Sequence, residues 1–178
     1  MFERFRRRLA DGRALAELMR SAEAVARSMG DGPPGAEHFL LASFEHPDGD
    51  ARRVLAGFGA TAASTREAIE AQYREALSRA GLGDGALAVG DNGFRPGVGA
   101  NAGIAGDDGP LPMLYDARES ARVLLRRMAD VQGGARFRSG LVPAAVTWFD
   151  EGVAARTLRG LGIDREALRT AALADPPG

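Results

Sequence analysis

The chain has 178 residues, of which 45% are hydrophobic and 26% are charged, so it is long enough for one domain with a sizeable core. Its 23 basic and 24 acidic residues leave a net charge of −1, which gives no indication of nucleic-acid binding. All of the basic residues are arginine and cysteine is absent, which excludes Schiff-base lysines, thiol nucleophiles, disulfides and Cys-ligated metals.

The amino-terminal stretch MFERFRRRLADGRAL is basic but lacks the apolar core of a signal peptide. No later stretch reaches the roughly 18 to 20 consecutive apolar residues of a membrane-spanning helix. The sequence therefore predicts a soluble, cytoplasmic protein without a membrane partner.

Four helices are predicted in the first 80 residues. In the first of them, apolar residues recur at the spacings of three and four that are typical of an amphipathic helix: Leu15, Leu18, Met19, Ala22, Val25, Ala26 and Met29. The breaker GDGPPG follows this helix, and a short helix is expected over about 36–44. A third helix ends at Gly59, and Thr61 caps a fourth helix that closes at Gly81.

Residues 81–110 are dominated by glycine with scattered aspartate, which predicts a flexible connector because such a segment buries little apolar surface. The run GVGANAG inside it resembles a nucleotide-binding loop only superficially. It follows no predicted strand and lacks the lysine of a P-loop.

After the connector the helical pattern recurs, and DEGVAARTLRGLGIDREAL parallels PDGDARRVLAGFGATAAST of the first half. Six residues of the first half are repeated 103 positions later, namely Gly49, Ala51, Arg53, Leu55, Gly57 and Gly59, which match Gly152, Ala154, Arg156, Leu158, Gly160 and Gly162. We infer an internal duplication. The predicted fold is a single all-α domain (1–178) with two pseudo-symmetric four-helix repeats, 1–80 and a degenerate 111–174, joined by the Gly-rich connector.

Three segments resemble the double Clp-N repeat, the amino-terminal domain of Clp-type unfoldases and of ClpC-type chains in particular. They are GAEHFLLASF, DGDARRVLAGFG and DEGVAARTLRGLGIDREALR, and the opening MFERF is also similar to the start of ClpC-type chains. The resemblance covers nearly everything except the connector and the last few residues. Without lysine no Walker A motif can exist, so the resemblance implies a stand-alone recognition domain without ATPase modules.

The resemblance implies a non-enzymatic protein-binding module that acts as an adaptor, decoy or substrate receptor in Clp proteolysis. The expected partners are protein substrates or Clp ATPase and protease components. In the related domains, the glutamate of a T-E-H box holds the guanidinium of phosphorylated arginine, and an arginine near the N-terminus helps to hold the phosphate. These roles fall by position on Glu37 and Arg4, with Ala36 in place of the threonine.

The second half retains no such carboxylate, because Ser139, Gly140 and Leu141 occupy the places of the T-E-H box. At most one phosphoarginine pocket is therefore expected. The resemblance also implies a hydrophobic contact site that takes cyclic-peptide ligands, with Phe2 on one side and Leu114 in place of an aromatic residue on the other.

Residue types alone leave structural alternatives open. Glu37 in a first helical turn is stabilised by the helix dipole by about 0.3 to 1 kcal/mol, and His38 is expected to bond the backbone of an adjoining loop. The turn HPDGD, with His46, Asp48 and Asp50, is expected to be solvated and not a metal site. Trp148 and Phe149 are expected in the core, with a partner-binding anchor as the alternative.

No catalytic residue, metal or cofactor is predicted, because neither histidine has a nucleophile elbow or an acidic partner at a suggestive position. The alternative function is a purely structural docking or regulatory module in which the phosphoarginine site has been lost.

Overall fold

A computed structural model of the chain describes residues 2–79, 118–133 and 135–174, with side chains from residue 10 onward. The described residues form eight α-helices: α1 (Phe2–Ser28), α2 (Ala36–Ser43), α3 (Asp50–Ala56), α4 (Ala62–Arg79), α5 (Glu119–Gln132), α6 (Leu141–Val146), α7 (Val153–Gly160) and α8 (Arg165–Leu173). The predicted all-α class is confirmed. The connector predicted over 81–110 lies outside the described residues. Of the described helices, none combines the length and the apolarity needed to cross a membrane.

Local capping explains where helices α4 and α8 begin. At α4, Thr61 Oγ1 accepts a hydrogen bond from the backbone of Ser64 at 3.1 Å, and Ser64 Oγ accepts one from the backbone of Thr61 at 2.9 Å. This reciprocal pair satisfies two backbone groups and confirms the predicted cap. At α8, Asp164 Oδ1 accepts from the backbone of Ala167 at 2.6 Å.

The core is built around two short apolar helices, α2 and α6, in which every residue is buried. Helix α1 packs on α2, helices α5 and α8 pack on α6, and α4 packs on α7. Because α2 also contacts α6 and α7, one continuous hydrophobic cluster runs through both halves of the chain. Burial of this cluster is the main stabilising contribution to the fold.

Positive backbone φ angles recur at the same spacing of 103 residues as the matched sequence positions. The six described glycines with positive φ form three pairs separated by 103 residues: Gly30 and Gly133, Gly49 and Gly152, Gly59 and Gly162. Helices α7 and α8 begin 103 residues after α3 and α4, respectively. The chain therefore adopts positive φ at matching positions of its two halves, where glycine is the favoured residue, although ψ differs between Gly49 (3°) and Gly152 (170°).

Candidate functional site

The start of α2 is shaped by His38, which is fully buried. Its Nδ1 accepts a hydrogen bond from the backbone N–H of Gly35 at 2.8 Å, so the neutral ring carries its proton on Nε2. Nε2 in turn donates to Asp31 Oδ2 at 2.9 Å. The bond to the preceding loop agrees with the structural role expected for His38 and satisfies one of the free N–H groups at the helix start.

Glu37 lies in the first turn of α2 and is only 3% exposed. Its Oε1 accepts from the hydroxyl of Tyr73 in α4 at 3.0 Å and from Nη1 of Arg118 at 3.2 Å. No described residue donates a hydrogen bond to its Oε2. The carboxylate is thus a buried charge paired with a guanidinium on one oxygen, as burial of a charge requires.

Arg118 immediately precedes α5 and joins the two acidic residues of the site. Its Nη2 donates to Asp31 Oδ1 at 2.8 Å while Nη1 donates to Glu37, so one guanidinium bridges two carboxylates. The backbone N–H of Arg118 also donates to the carbonyl of Pro34 at 3.1 Å. The side chain of Arg118 is 34% exposed, which places it at the rim of the site.

The charges within this cluster are set by its geometry. Burial alone would raise the pKa of Asp31, but the hydrogen bond from His38 and the positive charge of Arg118 outweigh it and lower this pKa to about 2. Burial, together with the negative charges of Glu37 and Asp31, raises the pKa of Tyr73, which is therefore a neutral donor. Burial opposes the charge of Arg118, yet Asp31, Tyr73 and Glu37 together raise the pKa of its guanidinium.

A small cavity of about 220 Å³ adjoins the cluster. It is lined by Ala36, Glu37, Arg118, Ser120, Phe149, Glu151 and the start of α7. The size suits one side chain of a partner, and the lining offers a carboxylate on one wall and a guanidinium on another.

The structure describes the side chains of some predicted site residues but not of others. Ala36 is buried, and its backbone N–H donates to Ser120 Oγ at 3.2 Å. Arg4 and Phe2 lie in α1, but the described side chains begin at residue 10. Leu114 lies outside the described residues. The pocket proposed from Glu37, Arg4 and Ala36 therefore remains a prediction. Sequence reasoning missed Asp31, Tyr73 and Arg118, which the fold brings to Glu37.

The position that corresponds to Glu37 in the second half is Gly140, and a carboxylate from elsewhere fills the space beside it. A Cβ added to Gly140 would lie only 2.2 Å from Asp50 Oδ2. Asp50 is itself buried and forms ion pairs with Arg53 and, at 3.0 Å, with Arg138. The carboxylate missing from position 140 is thus supplied by the start of α3, and it is already paired.

The expectation that the turn HPDGD is solvated holds for Pro47 and Asp48, which are exposed, but not for His46 and Asp50. His46 and Asp50 are buried, and Asp48 Oδ2 accepts from the backbone of Ser139 at 2.7 Å. Nδ1 of His46 lies 3.1 Å from Asp48 Oδ1, and its ring meets Phe137 edge-on. His46 and Asp50 are buried because the turn packs against the residues that precede α6. Within the described ranges, no group of three or more potential ligands is arranged to hold a metal ion.

Trp148 and Phe149 have different environments. Phe149 is half-buried and packs against the core, but Trp148 is 36% exposed, so the expectation that Trp148 lies in the core is wrong. The guanidinium of Arg169 lies 5.0 Å from the centroid of the Trp148 ring. This cation–π contact accounts for the position of an aromatic side chain at the surface.

The chain was compared with models of known protein families, with curated proteins and with solved structures. None of them matches. The cluster itself is a pair of carboxylates that holds a guanidinium.

Proposed function

We propose that this chain is a non-enzymatic, Clp-N-like protein-binding module that acts as an adaptor, decoy or substrate receptor in cytoplasmic Clp proteolysis. Its partners would be protein substrates or Clp ATPase and protease components. The proposed two four-helix repeats are supported by the four helices on each side of residues 80–117 and by the glycine pairs 103 residues apart. The segments GAEHFLLASF and DEGVAARTLRGLGIDREALR supply the family resemblance.

The proposed ligand is an arginine side chain of a partner protein, in its phosphorylated form. The observation that carries this proposal is that Glu37 and Asp31 already hold a guanidinium, that of Arg118, with donor–acceptor distances of 3.2 and 2.8 Å. A carboxylate matches the fork of a guanidinium wherever that guanidinium comes from. Arg4 is proposed to contact the phosphoryl group, and Phe2 and Leu114 to form the apolar contact for cyclic peptides.

Isothermal titration with phosphoarginine tests this proposal. The wild type should release heat on binding, and Glu37→Ala should weaken binding by about tenfold or more, because a hydrogen bond to a charged group contributes about 1.5 to 3 kcal/mol. Glu70→Ala is the matched control, since Glu70 is an exposed glutamate on α4. The absence of a heat signal in the wild type would contradict the phosphoarginine pocket.

The second candidate function is a docking or regulatory module whose phosphoarginine site has been lost. The burial of Glu37 and its existing ion pair with Arg118 favour this candidate. Capture on an immobilised Clp ATPase hexamer distinguishes the two functions. Docking should survive Glu37→Ala, whereas recognition of phosphorylated arginine should not.

A further inference from the structure

The guanidinium of Arg118 occupies the place that the proposed function reserves for a ligand. We propose that Arg118 is an internal competitor at this site, so that a partner's arginine binds by displacing the Arg118 side chain from Glu37 and Asp31. This inference rests on the proposed function and adds to it a regulation of the same site.

The hydrogen bonds of Glu37 explain why displacement is needed. A two-pronged pair with an incoming guanidinium uses both oxygens of one carboxylate. Oε1 of Glu37 already accepts from Tyr73 and from Arg118, while Oε2 accepts from no described residue. A ligand could therefore meet only one oxygen until Nη1 of Arg118 leaves.

The backbone around Arg118 is held independently of its guanidinium. The N–H of Arg118 donates to Pro34 O at 3.1 Å, and Ser120 Oγ accepts from the backbone of Ala36 at 3.2 Å. These two bonds fix the start of α5 against α2. The side chain can consequently change its position while the helix stays in place.

Exposure favours the exchange. Asp31 and Glu37 carry two negative charges, and an incoming guanidinium replaces the positive charge of Arg118 at both carboxylates, while Arg4 is proposed to meet the added negative charge of the ligand's phosphoryl group. The side chain of Arg118 is 34% exposed and that of Asp31 is 22% exposed, so solvent screens their ion pair and can take up the released guanidinium. Glu37 is nearly fully buried, and Tyr73 continues to donate to it during the exchange.

A comparison of Arg118→Gln with the wild type tests this inference. In titration with phosphoarginine, Arg118→Gln should bind about three- to tenfold more tightly than the wild type, because the competing ion pair is gone. Far-UV circular dichroism checks that the variant retains its helices. Equal or weaker binding by a folded R118Q protein would overturn the inference while leaving the proposed function intact. No binding by either protein would overturn both.

The absence of lysine from the chain allows a second readout that does not depend on affinity. Arg118→Lys introduces the only side-chain amine, and its acylation by an N-hydroxysuccinimide ester can be followed by mass spectrometry. Displacement predicts that phosphoarginine accelerates this acylation. A ligand that slows it or leaves it unchanged would contradict displacement. Arg126→Lys, at an exposed position of the same helix, is the control and should not respond to the ligand.

Discussion

Arg118 and Glu37, 81 residues apart in the chain, are joined by a hydrogen bond of 3.2 Å between Nη1 and Oε1. This bond connects the residue before α5 with the first turn of α2. The same guanidinium reaches Asp31, so the loop before α2 is held as well. The site proposed for recognition therefore also links the two halves of the chain through the hydrogen bonds of Arg118.

Gly35 should be essential for the bond between Arg118 and Glu37, because the absence of a side chain at position 35 leaves room for the Glu37 carboxylate. A Cβ at position 35 would lie 2.4 Å from Glu37 Oε1. Gly35→Ala should therefore push the carboxylate away from Arg118 and lower the free energy of unfolding by about 1 to 3 kcal/mol, measured by urea denaturation. Gly32→Ala is the control, since a Cβ there meets nothing within 4 Å, and it should change stability by less than about 0.5 kcal/mol. Equal effects of the two substitutions would refute this reading.

Gly140 should behave similarly with respect to Asp50. The Cβ of Gly140→Ala would lie 2.2 Å from Asp50 Oδ2, so the carboxylate would have to give up its ion pair with Arg138. We expect a loss of about 1 to 3 kcal/mol in the free energy of unfolding. In an Asp50→Ala background the collision is absent, and the same substitution should cost less. Additive effects in this double-mutant cycle would show that the two positions are not coupled.

The lowered pKa of Asp31 predicts a specific loss of stability in acid. Because this pKa falls from 3.8 to about 2 on folding, the folded state releases a proton that the unfolded state retains between these values. The stabilisation is complete above about pH 4 and is lost as the pH falls towards 2, with an upper limit of about 2 kcal/mol.

This pH dependence is measured as the difference in unfolding free energy between the wild type and Asp31→Asn. This difference in unfolding free energy should shrink as the pH is lowered from about 5 to about 2, the range in which carboxylates titrate. Asp130→Asn, at an exposed position of α5, should track the wild type throughout. A constant difference between the wild type and Asp31→Asn would contradict the ion pair and hydrogen bond assigned to Asp31.

Trp148 is the only tryptophan and reports on its own surface contact. Arg169→Ala should increase the quenching of its fluorescence by acrylamide, because the guanidinium no longer covers the ring. The stability change should not exceed about 1 kcal/mol, the magnitude of an exposed cation–π pair. Arg127→Ala, at an exposed position of α5, serves as the control. Unchanged quenching in Arg169→Ala would argue against the contact.

Helix positions could be predicted because their signals are local. The short helix expected over about 36–44 is observed as Ala36–Ser43, and the first helix, expected to end at Gly30, ends at Ser28. Apolar periodicity, capping residues and glycine turns act within a few residues of chain, so a single sequence is sufficient to locate them.

The partners of the site could not be predicted in the same way. The chain has 23 arginines, and nothing local distinguishes Arg118 as the one that reaches Glu37 across 81 residues. The HPDGD turn packs against Ser139, which lies 91 residues after Asp48. Such pairings arise from tertiary packing, to which periodicity and spacing are insensitive.

The most direct test of the account is a crystal structure of the wild-type protein with bound phosphoarginine. We expect the ligand's guanidinium to lie within hydrogen-bonding distance of both Glu37 oxygens and the side chain of Arg118 to have moved away from Oε1. Phosphoarginine bound elsewhere on the surface, with Arg118 still bridging Glu37 and Asp31, would contradict it.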